Sequence, residues 1–290
     1  MSERPANWVF LGDSLTEGVG SSRISYVSEL AAELREASED QAVFEFRLRK
    51  VDPDSFNRFI RCNLAGSLYT DPRQARRALW LWNLACEGST VDTDLEWLPF
   101  LQNLRPELVI VHRGSLESIV RPAMLRDGLW PGWVPRSWRG YAAMDPRCYF
   151  STTWWRRIKQ VVIDELKQKV RLSLLNQGTG VTLMDAETLS TEYRTLLQGL
   201  REVGTRVIVL GLLPLDGAYF PGSQENFDNI NARLSRLAAE TGAEFFDWAS
   251  KMPGVGERGR LCYRDGFHPN QAGARLLAGI LREHFSPVFA

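Results

Sequence analysis

Apolar runs of four to nine residues alternate along the chain with longer segments in which apolar residues recur every three or four positions. Short apolar runs bounded by glycine or proline predict buried strands, and the longer periodic segments predict amphipathic helices. The predicted strands are 8–11, 43–48, 78–85, 107–112, 206–214 and 243–248. Helices are predicted at about 92–103 and 153–175 and after the first, fifth and last strands. This alternation favours an α/β fold, a three-layer α/β/α sandwich around a mostly parallel sheet.

The interval from about 116 to 186 interrupts this alternation. It begins with a segment rich in proline, glycine and aromatic residues and continues into the basic helix predicted at about 153–175. No second set of core-forming segments accompanies it, so residues 1–290 are interpreted as a single domain with an insertion over the carboxyl ends of the strands. The apolar stripe of this helix (Ile158, Val162 and Leu166) is attributed to burial, with a dimer contact as the alternative.

The composition narrows the classes of partner. Lysine and arginine total 35, aspartate and glutamate total 35, and the formal net charge is therefore zero. Broad attraction to nucleic acid or to a membrane surface is not indicated. No apolar run reaches the roughly 20 residues of a spanning helix, and no secretory signal pattern is present at the start. We therefore expect a cytoplasmic protein with reduced cysteines and neither a nucleic-acid nor a membrane partner, and the oligomeric state stays open.

Candidate chemistry lies at the two ends of the chain. Ser14 follows the first predicted strand in VFLGDSLTEG, and Asp265 and His268 are three positions apart in DGFHPN. This spacing lets the carboxylate reach Nδ1 of the imidazole and leaves Nε2 free to face a serine. Each feature alone also has a structural explanation, with Ser14 as a helix or turn cap and His268 as a packing or surface histidine. Together they predict a nucleophile, a base and an orienting acid, because an α/β fold can bring both ends to one edge of the sheet.

Neither a metal nor a cofactor is indicated by the sequence. It has no H-E-x-x-H motif, no clustered Asp and His residues and no cysteine quartet. The glycine-rich patterns that cradle phosphates, G-x-x-x-x-G-K and G-x-G-x-x-G, are also missing. The predicted activity is therefore independent of cofactors.

Four segments resemble the sequence blocks of one family. GDSL at 12–15 and DGFHPN at 265–270 resemble the first and last blocks of the SGNH, or GDSL-type, hydrolases, which include esterases and lipases. NLACEGST at 83–90 resembles the second block, and PELVIVHRGSLES at 106–118 occupies the place of the third. The resemblance implies a flavodoxin-like α/β fold and hydrolysis of carboxylic esters through a serine.

The same resemblance implies roles for individual residues. Ser14 would be the nucleophile, His268 the general base and Asp265 the acid that orients it. The backbone amides of Ser14 and Gly88 would form the oxyanion hole that stabilises the tetrahedral intermediate. Asp13 would organise the turn around the nucleophile.

The third block departs from the Gly-x-Asn-Asp that is usual in the family. Residues 114–117 read Gly-Ser-Leu-Glu, so Leu116 stands where a side-chain oxyanion donor is expected. Losing one such donor typically costs ~2.7–4 kcal/mol of transition-state stabilisation. Asn83, Ser115 and Arg121 are the candidate substitute donors.

Candidate substrate-binding residues are Trp130 and Trp133 of the insertion and Asp13 beside the nucleophile. Aromatic faces stack on sugars or line acyl pockets, although packing against the core is the alternative for these tryptophans. The leading hypothesis is a serine esterase that removes a small acyl group from a sugar or another hydroxylated metabolite. The alternatives are an O-acyltransferase in polysaccharide or natural-product assembly and a catalytically weak binding protein that keeps the fold.

Overall fold

The chain folds around one six-stranded parallel sheet. The computed structural model describes residues 6–18, 24–37, 43–48, 78–124, 128, 130–139, 151, 153–178, 180–253 and 260–289. Its strands are β1 (Ala6–Gly12), β2 (Val43–Arg47), β3 (Leu79–Asn83), β4 (Leu108–His112), β7 (Arg206–Leu210) and β8 (Glu244–Phe246). The sheet order is β2-β3-β1-β4-β7-β8, and each neighbouring pair is parallel. A separate antiparallel pair consists of β5 (Arg121–Pro122) and β6 (Gly180–Val181).

Helices cover both faces of this sheet. They are α1 (Ser14–Glu17), α2 (Tyr26–Ala37), α3 (Val91–Leu95), α4 (Leu98–Leu104), α5 (Ser115–Ser118), α6 (Trp154–Gln177), α7 (Ala186–Val203), α8 (Ser223–Thr241) and α9 (Gln271–Phe289). Side chains of β1 alternate between the two faces, because successive residues of a strand point in opposite directions. Trp8 and Phe10 join the core under α2 and α9, and Val9 and Leu11 join the core under α3, α4, α7 and α8. The predicted three-layer α/β/α fold is confirmed.

Two predicted elements have different bounds. The helix predicted at about 92–103 is two helices, because Pro99 lies in the first turn of α4, where its missing N–H breaks a continuous helix. The strand predicted at 206–214 ends at Leu210. Beyond it, the backbone N–H and carbonyl of Leu212 bond to the Asn231 side chain at 2.7 and 3.2 Å, so this segment pairs with α8 instead of a strand.

Helix α7 is not among the predicted elements, although it is one of the most buried helices. Six of its residues face the core: Leu189, Ser190, Tyr193, Leu196, Leu197 and Leu200. Its first turn is capped by Asp185, which accepts hydrogen bonds from the amides of Glu187 and Thr188. The interval predicted as an insertion therefore ends next to a regular helix of the sandwich.

The long helix α6 is attached to the sandwich through its carboxyl-terminal half. Arg171 is fully buried and donates hydrogen bonds to the carbonyls of Val120 and Tyr219, both at 2.6 Å. Gln168 donates to the same Tyr219 carbonyl at 2.9 Å. Tyr219 lies in the loop between β7 and α8, which follows the carboxyl end of a central strand.

The burial predicted for the stripe of α6 is wrong. Ile158 is 48% exposed, Val162 is 61% exposed and Leu166 is 50% exposed. The helix presents the opposite face to the sandwich, because Arg171 and Gln168 find their backbone partners there. None of the helices within the described ranges combines the length and the hydropathy that crossing a bilayer requires.

Candidate active site

The turn that carries Ser14 follows β1 directly. Asp13 caps α1, since its Oδ1 accepts a hydrogen bond from the Leu15 amide at 2.9 Å. Gly12 allows α1 to lie close to the strand, because a Cβ at this position would be 2.1 Å from Oγ1 of Thr16. Ser14 is thereby held at the first position of a helix, half-exposed, at the carboxyl end of a central strand.

The structure brings Ser14, His268 and Asp265 together. Oγ of Ser14 lies 2.9 Å from Nε2 of His268, although the two residues are 254 positions apart. Nδ1 of His268 lies 2.6 Å from Oδ2 of Asp265. The other oxygen of Asp265 accepts the amides of Phe267 and His268, both at 3.0 Å, which fixes the carboxylate within its own loop. This is a relay in which Nε2 can accept the serine proton while the carboxylate holds the imidazole.

The charges around His268 raise its pKa and so favour its protonated form. Burial lowers the pKa of His268, the charge and the hydrogen bond of Asp265 raise it, and the net pKa lies above its ordinary value. The negative charges of Asp13 and Glu87 act in the same direction. The imidazolium that forms after proton transfer is therefore stabilised by its surroundings.

The backbone amides of Ser14 and Gly88 have no hydrogen-bond partner within the described part of the chain. Gly88 lies in a turn between β3 and α3 with φ of +75°, and it is exposed. The amide of Cys86 donates to the Gly12 carbonyl at 3.1 Å, which holds this turn beside the Ser14 turn. The two amides predicted to stabilise an oxyanion thus lie on adjacent turns.

The Gly88 turn is held from both sides by buried side chains. The Glu87 amide donates to Oε2 of Glu17, which belongs to α1. On the other side, Nη1 of Arg113 donates to the carbonyl and to Oγ of Ser89, both at 2.7 Å. The turn is therefore braced against the Ser14 helix and against the end of β4.

Arg113 is itself locked in a buried ion pair. Its Nε and Nη2 donate to the two carboxylate oxygens of Asp94 at 2.7 and 2.6 Å, and both residues are fully buried. Tyr193 closes the arrangement, because its hydroxyl donates to the Arg113 carbonyl at 2.8 Å. Arg113 and Asp94 were not among the sequence candidates. Their signal in the sequence is an arginine directly after the apolar strand 107–112, where a charge needs a buried partner.

Glu117, the last residue of the Gly-Ser-Leu-Glu sequence at 114–117, is also buried. Its Oε1 accepts the amide of Val91 at 2.9 Å, at the start of α3. Burial raises the pKa of Glu117 to about 7, and the charge of Arg113 offsets only part of this effect. The third block therefore supplies two side chains, Arg113 and Glu117, that support the segment after Gly88.

The three candidate substitute donors have different surroundings. Asn83 donates to the Thr16 carbonyl at 3.1 Å, and Arg121 donates to the carbonyls of Leu116 and Ile119 at 2.8 and 3.1 Å. These two side chains therefore hold backbone groups in this structure. Of the three, Ser115 alone has a polar atom with no partner among the described residues, and it is buried. An oxyanion role for any of them stays a prediction.

The candidate substrate-binding residues also differ in exposure. Asp13 is buried, and burial raises the pKa of its carboxyl although the charge of Arg113 opposes the effect. Trp130 is half-buried and packs in a small cluster around Leu174. Trp133 is 59% exposed. The packing explanation therefore accounts for Trp130, and Trp133 has a face open to a ligand. No group of His, Cys, Asp and Glu residues in the described ranges is arranged to hold a metal ion.

A family model for GDSL-like lipases and acylhydrolases matches residues 10–276 of the chain. This range contains all three members of the relay and the Gly88 turn. No curated protein matches the chain in sequence.

Solved structures share the fold at low identity. A lipase/acylhydrolase from Enterococcus faecalis is 13% identical, with a TM-score of 0.53 over 98% of this chain and 96% of that chain. The acetyl xylan esterase AlAXEase is 11% identical, with a TM-score of 0.52 over 96% of this chain and 98% of that chain. A variant of Axe2, an acetyl-xylooligosaccharide esterase from Geobacillus stearothermophilus, is 15% identical, with a TM-score of 0.51 and coverages of 98% and 95%. At these identities, the likeness shows the fold.

Proposed function

Because this chain belongs to the GDSL-like lipase/acylhydrolase family and is an ester hydrolase, we propose that it is a serine esterase with Ser14 as its nucleophile. Oγ of Ser14 attacks the ester carbonyl while Nε2 of His268 accepts its proton. His268 then gives that proton to the leaving alcohol, which leaves an acyl group on Ser14. Water, activated by the same imidazole, hydrolyses this acyl-enzyme and restores the free serine.

The observation that carries this proposal is the relay of two short contacts between Ser14, His268 and Asp265. The contacts measure 2.9 and 2.6 Å, within the range in which a base can accept the proton of a nucleophile. The raised pKa of His268 supports its role, since the relay favours the protonated imidazole that forms during attack. The open amides of Ser14 and Gly88 supply donors for the developing oxyanion.

We further propose that the bracing by Arg113 and Glu117 partly compensates for Leu116. A donor contributes most when it is already oriented toward the charge that develops in the transition state. Arg113 fixes the residue after Gly88, and Glu17 fixes the residue before it. The site then works with two well-fixed backbone donors in place of a third donor from a side chain.

The substrate we propose is a small acyl ester, an acetyl group in the first instance, on a sugar or another hydroxylated molecule. Two proteins of similar fold are esterases named for acetylated xylan or xylo-oligosaccharides, which supports this class. The exposed ring of Trp133 is a surface on which a sugar could stack. Transfer of the acyl group to a second hydroxyl would use the same acyl-enzyme, and added sugar acceptors would reveal it as a new ester product.

The experiment compares wild-type protein with Ser14→Ala on p-nitrophenyl esters of increasing chain length, and on acetylated xylo-oligosaccharides. Fluorophosphonate labelling read by mass spectrometry is carried out on the same samples. We expect turnover and labelling to disappear in Ser14→Ala and to persist in Ser235→Ala, which changes an exposed serine of α8. Folded wild-type protein that neither turns over esters nor labels would contradict the proposal and favour a binding protein.

A further inference from the structure

The first half of α6 carries a continuous apolar surface, which we call the α6 stripe: Trp155, Ile158, Val162 and Leu166. These side chains are spaced three or four residues apart, so they lie along one side of the helix. They are 65%, 48%, 61% and 50% exposed. Trp154, which is 57% exposed, stacks on Trp155 with ring centroids 3.6 Å apart. Contiguous exposed apolar surface of this kind marks an interaction site more often than isolated exposed residues do.

The stripe is turned away from the sandwich. The buried residues of α6 are Gln168, Arg171 and Leu174, which lie in its carboxyl-terminal half and on the opposite side. Residues 153–159 are all exposed, so the first two turns of the helix are accessible to solvent.

The charged side chains near the amino-terminal end of the α6 stripe are all basic. The sequence WWRRIK at 154–159 contains Arg156, Arg157 and Lys159, all exposed, and no acidic residue. The first turn of α6 has no acidic side chain, and the helix has no side-chain cap. The formal charge of the whole chain is zero, so this positive charge is a local concentration and not a property of the protein in general.

We propose that the first half of α6 docks on an anionic lipid surface. Helices that lie in the interface of a bilayer combine an apolar face containing tryptophan with a polar face rich in lysine and arginine. The rings of Trp154 and Trp155 and the rest of the α6 stripe would enter the boundary between headgroups and acyl chains. Lys159, on the flank of the stripe, and Arg156, further round the helix, would contact the lipid phosphates, whereas Arg157 lies on the far side of the helix and would add only longer-range attraction. This proposal differs from the expectation of no membrane partner, because that expectation was based on the net charge of the whole chain and not on the local charge of α6.

A second copy of this chain fits the stripe less well. A two-fold pairing of the stripes would centre between Ile158 and Val162. Lys159 lies beside that centre, so the two lysines of such a pair would be brought close together. Like charges in such an arrangement oppose association, whereas phosphate headgroups complement them.

The same helix also borders the catalytic loop. A cavity of about 320 Å³ is lined by Val161, Glu165 and Lys169 of α6 and by Arg264 and Asp265 of the loop that holds His268. Docking of α6 would therefore set this loop beside the lipid surface. That consequence rests on the proposed function, whereas docking itself does not.

The test is sedimentation with vesicles of phosphatidylcholine alone and of phosphatidylcholine with phosphatidylglycerol. Wild-type protein is compared with a charge variant, Arg156→Gln/Arg157→Gln/Lys159→Gln, and an apolar variant, Trp154→Ser/Trp155→Ser/Ile158→Ser. The matched control is Arg194→Gln/Arg201→Gln/Arg236→Gln, which changes three exposed basic residues on other helices. Hydrolysis of p-nitrophenyl acetate is measured on every sample, so that a failure of docking is distinguished from a failure of the esterase.

We expect binding to the anionic vesicles that weakens with salt. The charge variant should bind on the order of 100-fold more weakly, at about fivefold for each of the three basic residues, and the control should bind as wild type does. The apolar variant should also lose binding, while hydrolysis of the soluble ester is unchanged. Equal binding by all four proteins, no binding by wild type, or a dimer in analytical ultracentrifugation that the apolar variant abolishes would overturn the proposal.

Discussion

Arg113 donates hydrogen bonds to both carboxylate oxygens of Asp94, at 2.7 and 2.6 Å, and neither side chain is exposed to solvent. The same guanidinium donates to the carbonyl of Ser89, one residue after Gly88. One buried ion pair therefore contributes both to the core of the protein and to the geometry of the proposed oxyanion hole.

Replacing Arg113 separates these two contributions. Arg113→Met leaves Asp94 buried without its partner, and we expect the free energy of unfolding to fall by about 3–5 kcal/mol. Arg113→Met/Asp94→Leu should recover much of that loss, because no buried charge remains. It should not recover kcat, since the Ser89 carbonyl still lacks its donor.

Urea denaturation and p-nitrophenyl acetate hydrolysis measure the two effects. The control is Arg206→Met, which breaks an exposed pair with Glu244 and should change stability by no more than about 1 kcal/mol. If the double variant regained stability and kcat together, the contact between Arg113 and Ser89 would have no role in catalysis.

Gly88 and Gly204 offer a matched pair of substitutions. Their φ values are +75° and +77°, and an added Cβ would meet no atom within 4 Å at either position. Gly88→Ala and Gly204→Ala should therefore cost similar strain, about 1–3 kcal/mol each. Only Gly88→Ala should lower kcat, by roughly tenfold or more, because it moves a proposed oxyanion donor.

Thermal unfolding and steady-state kinetics on both alanine variants provide the measurement. Gly204 ends α7, away from the relay, so its variant reports the effect of strain alone. Equal values of kcat in the two variants would remove Gly88 from the proposed oxyanion hole.

The dependence of activity on pH should report the raised pKa of His268. The base acts in its neutral form, so kcat/KM should rise as the pH increases through a midpoint above the ordinary value of about 6.5. Asp265→Asn removes the carboxylate that raises this pKa and leaves burial, which lowers it. The midpoint should therefore move to lower pH, and kcat should fall by about 10⁴-fold.

The profile is measured from pH 5 to 9 with p-nitrophenyl acetate. Asp228→Asn, an exposed position on α8, should leave both the midpoint and kcat unchanged. A midpoint that stayed in place in Asp265→Asn would mean that another group titrates.

Glu117 should make stability depend on pH. Burial raises its pKa in the folded protein to about 7 from an ordinary value of 4.5, so the folded state binds this proton more tightly than the unfolded chain. The free energy of folding gained from this proton is therefore fully present below about pH 4.5. It declines as the pH rises from 4.5 to about 7 and is absent above that range. Glu117→Gln should remove a decline on the order of 3 kcal/mol.

The measurement is the difference in unfolding free energy between Glu117→Gln and wild type at pH 5 and at pH 8. The unfolding free energy of Glu117→Gln, relative to that of wild type, should be higher at pH 8 than at pH 5. Glu225→Gln, at an exposed position of α8, serves as the control and should show no such change. A difference that is constant with pH would show that Glu117 does not titrate in this range.

Local patterns in the sequence were sufficient for most of the sandwich. Every predicted strand is present, because a short apolar run between turn residues has few ways to bury itself other than as a strand. The errors arose where tertiary contacts decided the outcome. Asn231 ends β7 early by bonding to Leu212, and the buried partners of Arg171 turn the α6 stripe to solvent.

The amino-acid sequence by itself determined the parts of the site that lie within one turn of chain. The spacing of Asp265 and His268 places one carboxylate beside one imidazole, and Gly12 with Asp13 shapes the turn at Ser14. Only the tertiary structure decided that these two segments meet, that Arg113 pairs with Asp94 beneath the Gly88 turn, and which side of α6 faces solvent. The physical reason is that such contacts join residues far apart in sequence, so they depend on how whole elements pack and not on local spacing.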